Sequence, residues 1–317
     1  MTPSPSPLPA SEGSAGSRVV SCQEALAHSG LSLGEVERFL DLARRAAESG
    51  GVQLKAHFGR LEQVREKGRN GDLVTEADLA AEAAVLGFLE AETPEVGVLA
   101  EESGRRRGSG ALEWCVDPLD GTTNYAHGFP FFATSVGLTW QGMPLLGAMA
   151  VPAFDELYWA APALGSWCNG RRLAVSGCER LGDALLTTGF AYDRQQRLDN
   201  NYAEFAWFTH RTHGVRRAGA AAVDLAFVAS GKLDGYWERG LAPWDLAAGL
   251  VLVEEAGGVV TGYDGGAVDL RSGRVVAAGA ALHPQLLAGL AACQPLPGRS
   301  YGVPELDGEV SDPNATP

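Results

Sequence analysis

Residues 112–124 read LEWCVDPLDGTTN, and most of what the chain can be follows from them. Leu112 to Val116 is an apolar run of strand length. Asp117 and Asp120 follow, flanking a Pro118-Leu119 pair that stiffens the backbone before Gly121 permits a tight turn. Two acids at the end of a buried strand, aimed into one turn, repel each other unless a cation or a shared proton intervenes. Thr122, Thr123 and Asn124 add two hydroxyls and an amide, and such a turn can present backbone N–H groups to an oxyanion. Taken alone, the segment is equally an Asp-Gly turn with an Asx cap.

On the N-terminal side, Val96–Ala100 is a short apolar strand ending in Glu101-Glu102, and residues 103–110, SGRRRGSG, read as a solvated loop. Thr75-Glu76-Ala77-Asp78 is a capping box opening an Ala/Leu helix to about Ala91. Ser32-Leu33-Gly34-Glu35 is another, and it opens the first ordered element, a helix ending at Gly50-Gly51 or at His57. Glu62 to Gly71 reads as a charged loop. On the C-terminal side, Ala133–Trp140, Leu145–Val151 and Glu156–Ala160 have the spacing of an antiparallel meander. From Ala184 onwards, strands (Leu185–Thr188, Val259–Thr261, Val275–Ala278) alternate with helices over about 200–212, 220–230 and 243–256. The whole reads as layered helix and sheet, an α+β chain whose lobes meet somewhere near 145–185. The Ser/Pro-rich head, 1–17, and the acidic tail, 295–317, are expected to be disordered, which leaves 18–294 as the folded domain.

The 317 residues, 45% of them hydrophobic, are enough for a substantial core, and the formal charge is −14. Glu12 in the head and Glu305, Asp307, Glu309 and Asp312 in the tail account for only part of it, so the folded part is itself acidic. It lacks the basic footprint of a nucleic-acid binder. No run of 18 apolar residues predicts a membrane span, and the head lacks the basic and apolar regions of a signal peptide. Five scattered cysteines without CxxC spacing point to reduced thiols in a cytoplasm. Gly30-Leu31-Ser32-Leu33-Gly34 matches the GxSxG nucleophile pattern, but no strand precedes it, and the capping box accounts for Ser32. His210 and His213 have a zinc-compatible spacing with no third ligand to complete a site.

What remains is a set of carboxylates in costly places: Asp72 ahead of Leu73-Val74-Thr75, Glu101, Asp117, Asp120, and Asp245 in the first turn of an apolar helix. Any one could serve as a helix cap. Together they offer oxygen ligands without thiolate or imidazole, the chemistry of a hard cation, and favour Mg²⁺ over zinc or copper.

Four segments carry a resemblance. WCVDPLDGTTNYAHGFPFF resembles the first signature of the inositol monophosphatase family and APWDLAAGLVLVEEAGG its second, while DLVTEAD and LAEES look like the shorter motifs accompanying them, in the family's order. RRAGAAAVDLAFVASGKLDGYWERGLAPWD is similar to the bacterial and chloroplast branch, and the likeness covers roughly Leu31 to Gln294. It implies a layered αβαβα sandwich of the sugar-phosphatase type, a homodimer, and Mg²⁺-dependent, lithium-sensitive hydrolysis of a small-molecule phosphate monoester, with neither nucleic acid nor membrane as partner. By the same likeness, Glu101, Asp117 and the Leu119 carbonyl hold one Mg²⁺. Asp117, Asp120 and Asp245 hold a second, and a third, weaker ion sits near Glu101. Asp72 and Thr122 orient and deprotonate the attacking water. Gly121, Thr122 and Thr123 cradle the phosphoryl oxygens. Glu238, Asp245 and Asp120 accept from the alcohol's hydroxyls above a floor of Gly219, Ala220 and Ala221, with Arg216 or Arg217 facing inward. Inositol 1-phosphate is the expected substrate, histidinol phosphate or another sugar phosphate the alternative. A non-catalytic interaction module on this fold is the reading of a different class.

Overall fold

The structure, a computed structural model, describes residues 21–67, 73–194 and 197–294; the head, the tail and Asp72 lie outside the described residues. The N-terminal part runs α1 (Cys22–Ser29), α2 (Leu33–His57), β1 (Val64–Glu66), β2 (Leu73–Thr75), α3 (Glu76–Glu92), β3 (Gly97–Ala100), β4 (Gly104–Arg106), β5 (Leu112–Asp120) and α4 (Thr122–Ala126). The middle is a meander of β6 (Ala133–Trp140), β7 (Met143–Val151), β8 (Glu156–Ala161), β9 (Gly165–Cys168) and β10 (Arg171–Arg172). The remainder is β11 (Leu185–Thr188), α5 (Tyr202–Thr209), β12 (Gly214–Arg216), α6 (Ala221–Ala229), β13 (Gly235–Glu238), α7 (Pro243–Glu255), β14 (Gly258–Thr261), β15 (Val275–Gly279) and α8 (His283–Ala292).

Both expected capping boxes form, Ser32 with Glu35 and Thr75 with Asp78. The first ordered element comes earlier than expected: α1 is capped by Ser21, and its Cys22 N–H donates to Glu254 at 2.8 Å. Helix α2 continues through Gly50-Gly51 to His57. A Cβ on Gly50 would stand 2.6 Å from the Thr134 side chain, so these glycines serve close approach to the sheet, not termination. The 103–110 stretch is not all loop, because β4 pairs antiparallel with β3. The charged 62–71 stretch contains β1, which pairs with β2.

Among the described residues an eight-stranded sheet has the order β10-β9-β8-β7-β6-β5-β3-β4, and a five-stranded one the order β12-β11-β13-β15-β14. Phe39, Leu40 and Ala43 of α2 and Val85 and Leu89 of α3 pack on Trp114, Val116 and Val136 of the large sheet. Its opposite face, with Cys115, Met149 and Val151, packs on Leu225 of α6 and Leu246 and Leu250 of α7. Tyr236 and Ala277 of the small sheet close that same core from the far side. Trp237 and Val276, one residue out of phase, face Phe208 of α5 and Leu286 of α8. Five layers result, αβαβα. Helix α7 lies very close to the large sheet: a Cβ on Gly137 would be 2.7 Å from that of Ala247, and one on Gly147 would overlap Ala248. No described helix is long and apolar enough to cross a membrane.

Candidate active site

The acids meet because of a parallel pair. β3 and β5 run side by side with Ala100 opposite Val116, so the next residues along, Glu101 just past β3 and Asp117 within β5, are neighbours. The Glu101 N–H donates to the Val116 carbonyl at 3.1 Å and extends the ladder by one rung. Pairing of β5 with β6 then slips between Asp117 and Asp120, at Pro118, which has no N–H to give. Across that irregularity the two acids take different hydrogen-bond partners. Asp117 accepts from the Leu119 N–H at 3.0 Å, while Asp120 accepts from Ala221 at 3.2 Å and Ala222 at 2.7 Å, the first residues of α6. Asp245 comes from across the cleft, in the first turn of α7, where it accepts from Ala242 N at 2.7 Å.

These carboxylates perturb one another. Asp117 is 1% exposed, and burial raises its pKa well above the usual aspartate range, with Glu101, Asp120 and Asp245 adding repulsion. Burial and Glu101 push Asp120 up to about 7, and enclosure beside Asp120 and Glu101 lifts Asp245 to about 8. Lys67 reaches in from beyond β1, with its Nζ 2.8 Å from Glu101 and also bonded to Glu102. Glu102 is driven up to about 7 by burial despite that ion pair, and its N–H is held by Glu82 at 3.0 Å. Among the described residues no three His, Cys, Asp or Glu form a ready-made coordination group. The acids touch in pairs, Asp117 with Glu101 and Asp117 with Asp245. An oxygen-only donor set that is buried, mutually repelling and partly answered by a lysine fits a hard divalent cation.

Gly121 follows at φ 89°, and a Cβ there would stand 2.9 Å from the Phe131 carbonyl, so only glycine makes this turn. No side chain caps the short helix α4 that it starts. Thr122 is buried, and its Oγ1 lies 3.1 Å from Asp78 Oδ1 and 3.0 Å from the Leu119 carbonyl. Asp72, expected to partner Thr122, lies outside the described residues; the carboxylate that touches the hydroxyl is Asp78. Its other oxygen closes the capping box on Thr75 N at 2.8 Å and Thr75 Oγ1 at 2.6 Å. Burial raises the Asp78 pKa, and its hydrogen bonds to Thr75 and Thr122 oppose that rise.

The alcohol side is built from the second sheet. Glu238 ends β13, accepts from the Tyr236 hydroxyl at 2.7 Å and is held near 7 by burial. Gly189 leaves space for its carboxylate, which any Cβ there would occupy. Gly219 sits at φ 89°, Ala220 abuts Gly121, and Asn124 Nδ2 donates to Ala218 O at 2.8 Å and Phe131 O at 2.7 Å, joining this floor to the Gly121 turn. Of the two arginines, Arg217 has its guanidinium against Gly219 and lowers the pKa of Glu238, whereas the Arg216 guanidinium lies back beside Gly214. Thr123 is exposed at the mouth.

A model of the inositol monophosphatase family matches residues 35–294. An inositol-1-monophosphatase of Synechocystis sp. is 48% identical over 81% of this chain and 90% of its own. A protein of Pseudomonas aeruginosa named Nus factor SuhB is 42% identical over 76% of this chain and 92% of its own. Among solved structures, an inositol monophosphatase from Anabaena (Nostoc) sp. superposes with a TM-score of 0.76 at 45% identity, covering 83% of this chain and 98% of that one.

Proposed function

The chain belongs to the inositol monophosphatase family and is a phosphatase, and from that footing we propose that it hydrolyses inositol 1-phosphate to myo-inositol and phosphate with the help of Mg²⁺. The observation that carries this reading is the meeting of Glu101, Asp117, Asp120 and Asp245 beside a threonine that is itself bonded to a buried carboxylate. Glu101, Asp117, the Leu119 carbonyl, Asp120 and Asp245 would hold the ions. Mg²⁺ bound there supplies a water of lowered pKa and neutralises charge on the leaving oxygen.

The protein's own part is proton handling and positioning. Thr122 Oγ1 accepts a proton from the attacking water as its own proton passes to Asp78 Oδ1, which makes Asp78 a candidate base alongside Asp72. The water oxygen bonds to phosphorus, the bond from phosphorus to the inositol oxygen breaks, and that oxygen takes a proton from solvent. Backbone N–H groups of the uncapped α4 turn face the phosphoryl oxygens. Glu238 accepts from ring hydroxyls. Arg217 beside it disfavours a cationic amine, which ranks the polyol above histidinol phosphate.

The deciding measurement is kcat/KM in Mg²⁺ over inositol 1-phosphate, histidinol phosphate, fructose 1,6-bisphosphate and an adenosine bisphosphate. Inositol 1-phosphate should lead, and a tenfold preference for another member would reject the substrate. Asp117→Asn should lose about two orders of magnitude or more, because one ligand serves both ions. An Asp117→Asn enzyme at the wild-type rate would remove the metal assignment. We also propose a homodimer, supported by exposed Phe129 and Phe154, at 52% and 42% exposure, continuing into a ring cluster with Phe131 and Phe227.

A further inference from the structure

A cavity of about 780 Å³ opens behind the catalytic strands and not at their acidic ends. Leu99 and Cys115 form part of its wall, each two residues upstream of an acid of the site, Glu101 and Asp117; Pro243 closes it two residues before Asp245. Arginines from separate segments line it as well: Arg105 on β4, Arg107 beyond it, and Arg271 from the 268–271 loop. Arg105 is paired with Glu113 at 3.2 Å, and Asp269 Oδ1 accepts from the Arg271 backbone N–H at 2.9 Å. Among the described residues neither the Arg107 nor the Arg271 guanidinium has a hydrogen-bonded or ionic partner. The lining carries more positive than negative charge in a protein of net charge −14.

The arginine side chains of this loop are exposed, but its backbone is held in place. Ser109 N donates to the Glu95 carbonyl at 2.9 Å, and a Cβ on Gly108 would stand 2.7 Å from the Val96 carbonyl carbon, so only glycine lets the loop lie this close to β3. The volume falls within the roughly 300–1,000 Å³ of small-molecule sites. Guanidinium groups recognise phosphoryl oxygens through paired, charge-assisted hydrogen bonds. Among the described residues no aromatic side chain lines the cavity to stack on a nucleobase, whereas Leu99, Leu270 and Pro243 offer an apolar wall for a carbon chain.

We propose that this cavity is a second ligand site, separate from the catalytic cleft, which binds a non-aromatic organic phosphate through Arg107 and Arg271. The test uses the full-length enzyme saturated with Mg²⁺ and isothermal titration with propane-1,3-bisphosphonate, a two-headed phosphate mimic that cannot be hydrolysed. Binding should persist in Asp117→Asn and weaken at least tenfold in Arg107→Ala/Arg271→Ala. That double variant should turn over substrate within twofold of wild type, which shows that it is folded. Binding unchanged in the double variant overturns the site, as does binding that Asp117→Asn abolishes.

Discussion

Asp78 uses its two carboxylate oxygens for different tasks, one closing the α3 cap and one meeting Thr122. Asp78→Asn keeps an acceptor for the cap but cannot take a proton, so kcat should fall by about 10²–10⁴ with KM little changed; a loss below tenfold would return the base role to another group. The cap was legible in TEAD, but the second role was not, because spacing assigns a residue one neighbour at a time. A signal was present, since Asp78 shares its buried helix stripe with Ala81, Val85 and Leu89. Arg216 and Arg217 show a different limit: adjacent residues on an extended segment point to opposite sides, and without the register of β12 nothing says which faces in. The raised acids also set a pH dependence. Asp120 near 7 and Asp245 near 8 bind protons in the metal-free folded state that the unfolded chain, with aspartates near pKa ~3.9, has already released. Stability in EDTA should therefore fall as pH rises from about 4 through 8 on their account. Calorimetry at pH 5.5 and 8.5 checks this: Tm should be lower at pH 8.5 in EDTA, and saturating Mg²⁺ should narrow the gap. A higher Tm at pH 8.5 in EDTA would contradict these shifts.

Helices and strands were legible where one periodicity dominated, as in the β6–β8 meander and the Pro243–Glu255 helix. β13 escaped because Tyr236 and Trp237 are both apolar and both buried, each facing a different helical layer, so the strand shows no alternation. The Gly50-Gly51 pair was ambiguous because a glycine needed for closeness and a glycine ending a helix look alike in sequence. The same logic governs α7. Gly147→Ala forces a methyl into Ala248, an overpacking cost of about 1–3 kcal/mol. In a chain of this size that is a Tm loss of several degrees, at roughly 2–4 °C per kcal/mol. Since α7 also carries Asp245, Mg²⁺ affinity should weaken in the same variant. A Tm within 1 °C of wild type, by the roughly 2–4 °C scale just used, would mean that the helix shifts freely on the sheet.

The five-layer arrangement brings together acids from two separate stretches of chain, Glu101 to Asp120 and Asp245, with the α6 N-terminus that Asp120 caps between them in sequence. Bound Mg²⁺ should raise Tm in proportion to the logarithm of its concentration above the dissociation constant. Sedimentation should give a dimer that Phe129→Ser/Phe154→Ser converts to monomer; a monomeric wild type would dispose of the aromatic interface. The layering also bears on how the protein is made. Strands β3 to β10 are complete once Arg172 has been synthesised, but α7, the second of the two helices that cover their Cys115, Met149 and Val151 face, ends only at Glu255. At about 5–20 residues per second, that face waits roughly 4–17 s on the ribosome without α7. The nascent chain thus spends its most adhesive interval with an almost finished sheet, and chaperone occupancy on translating ribosomes should peak between those two points.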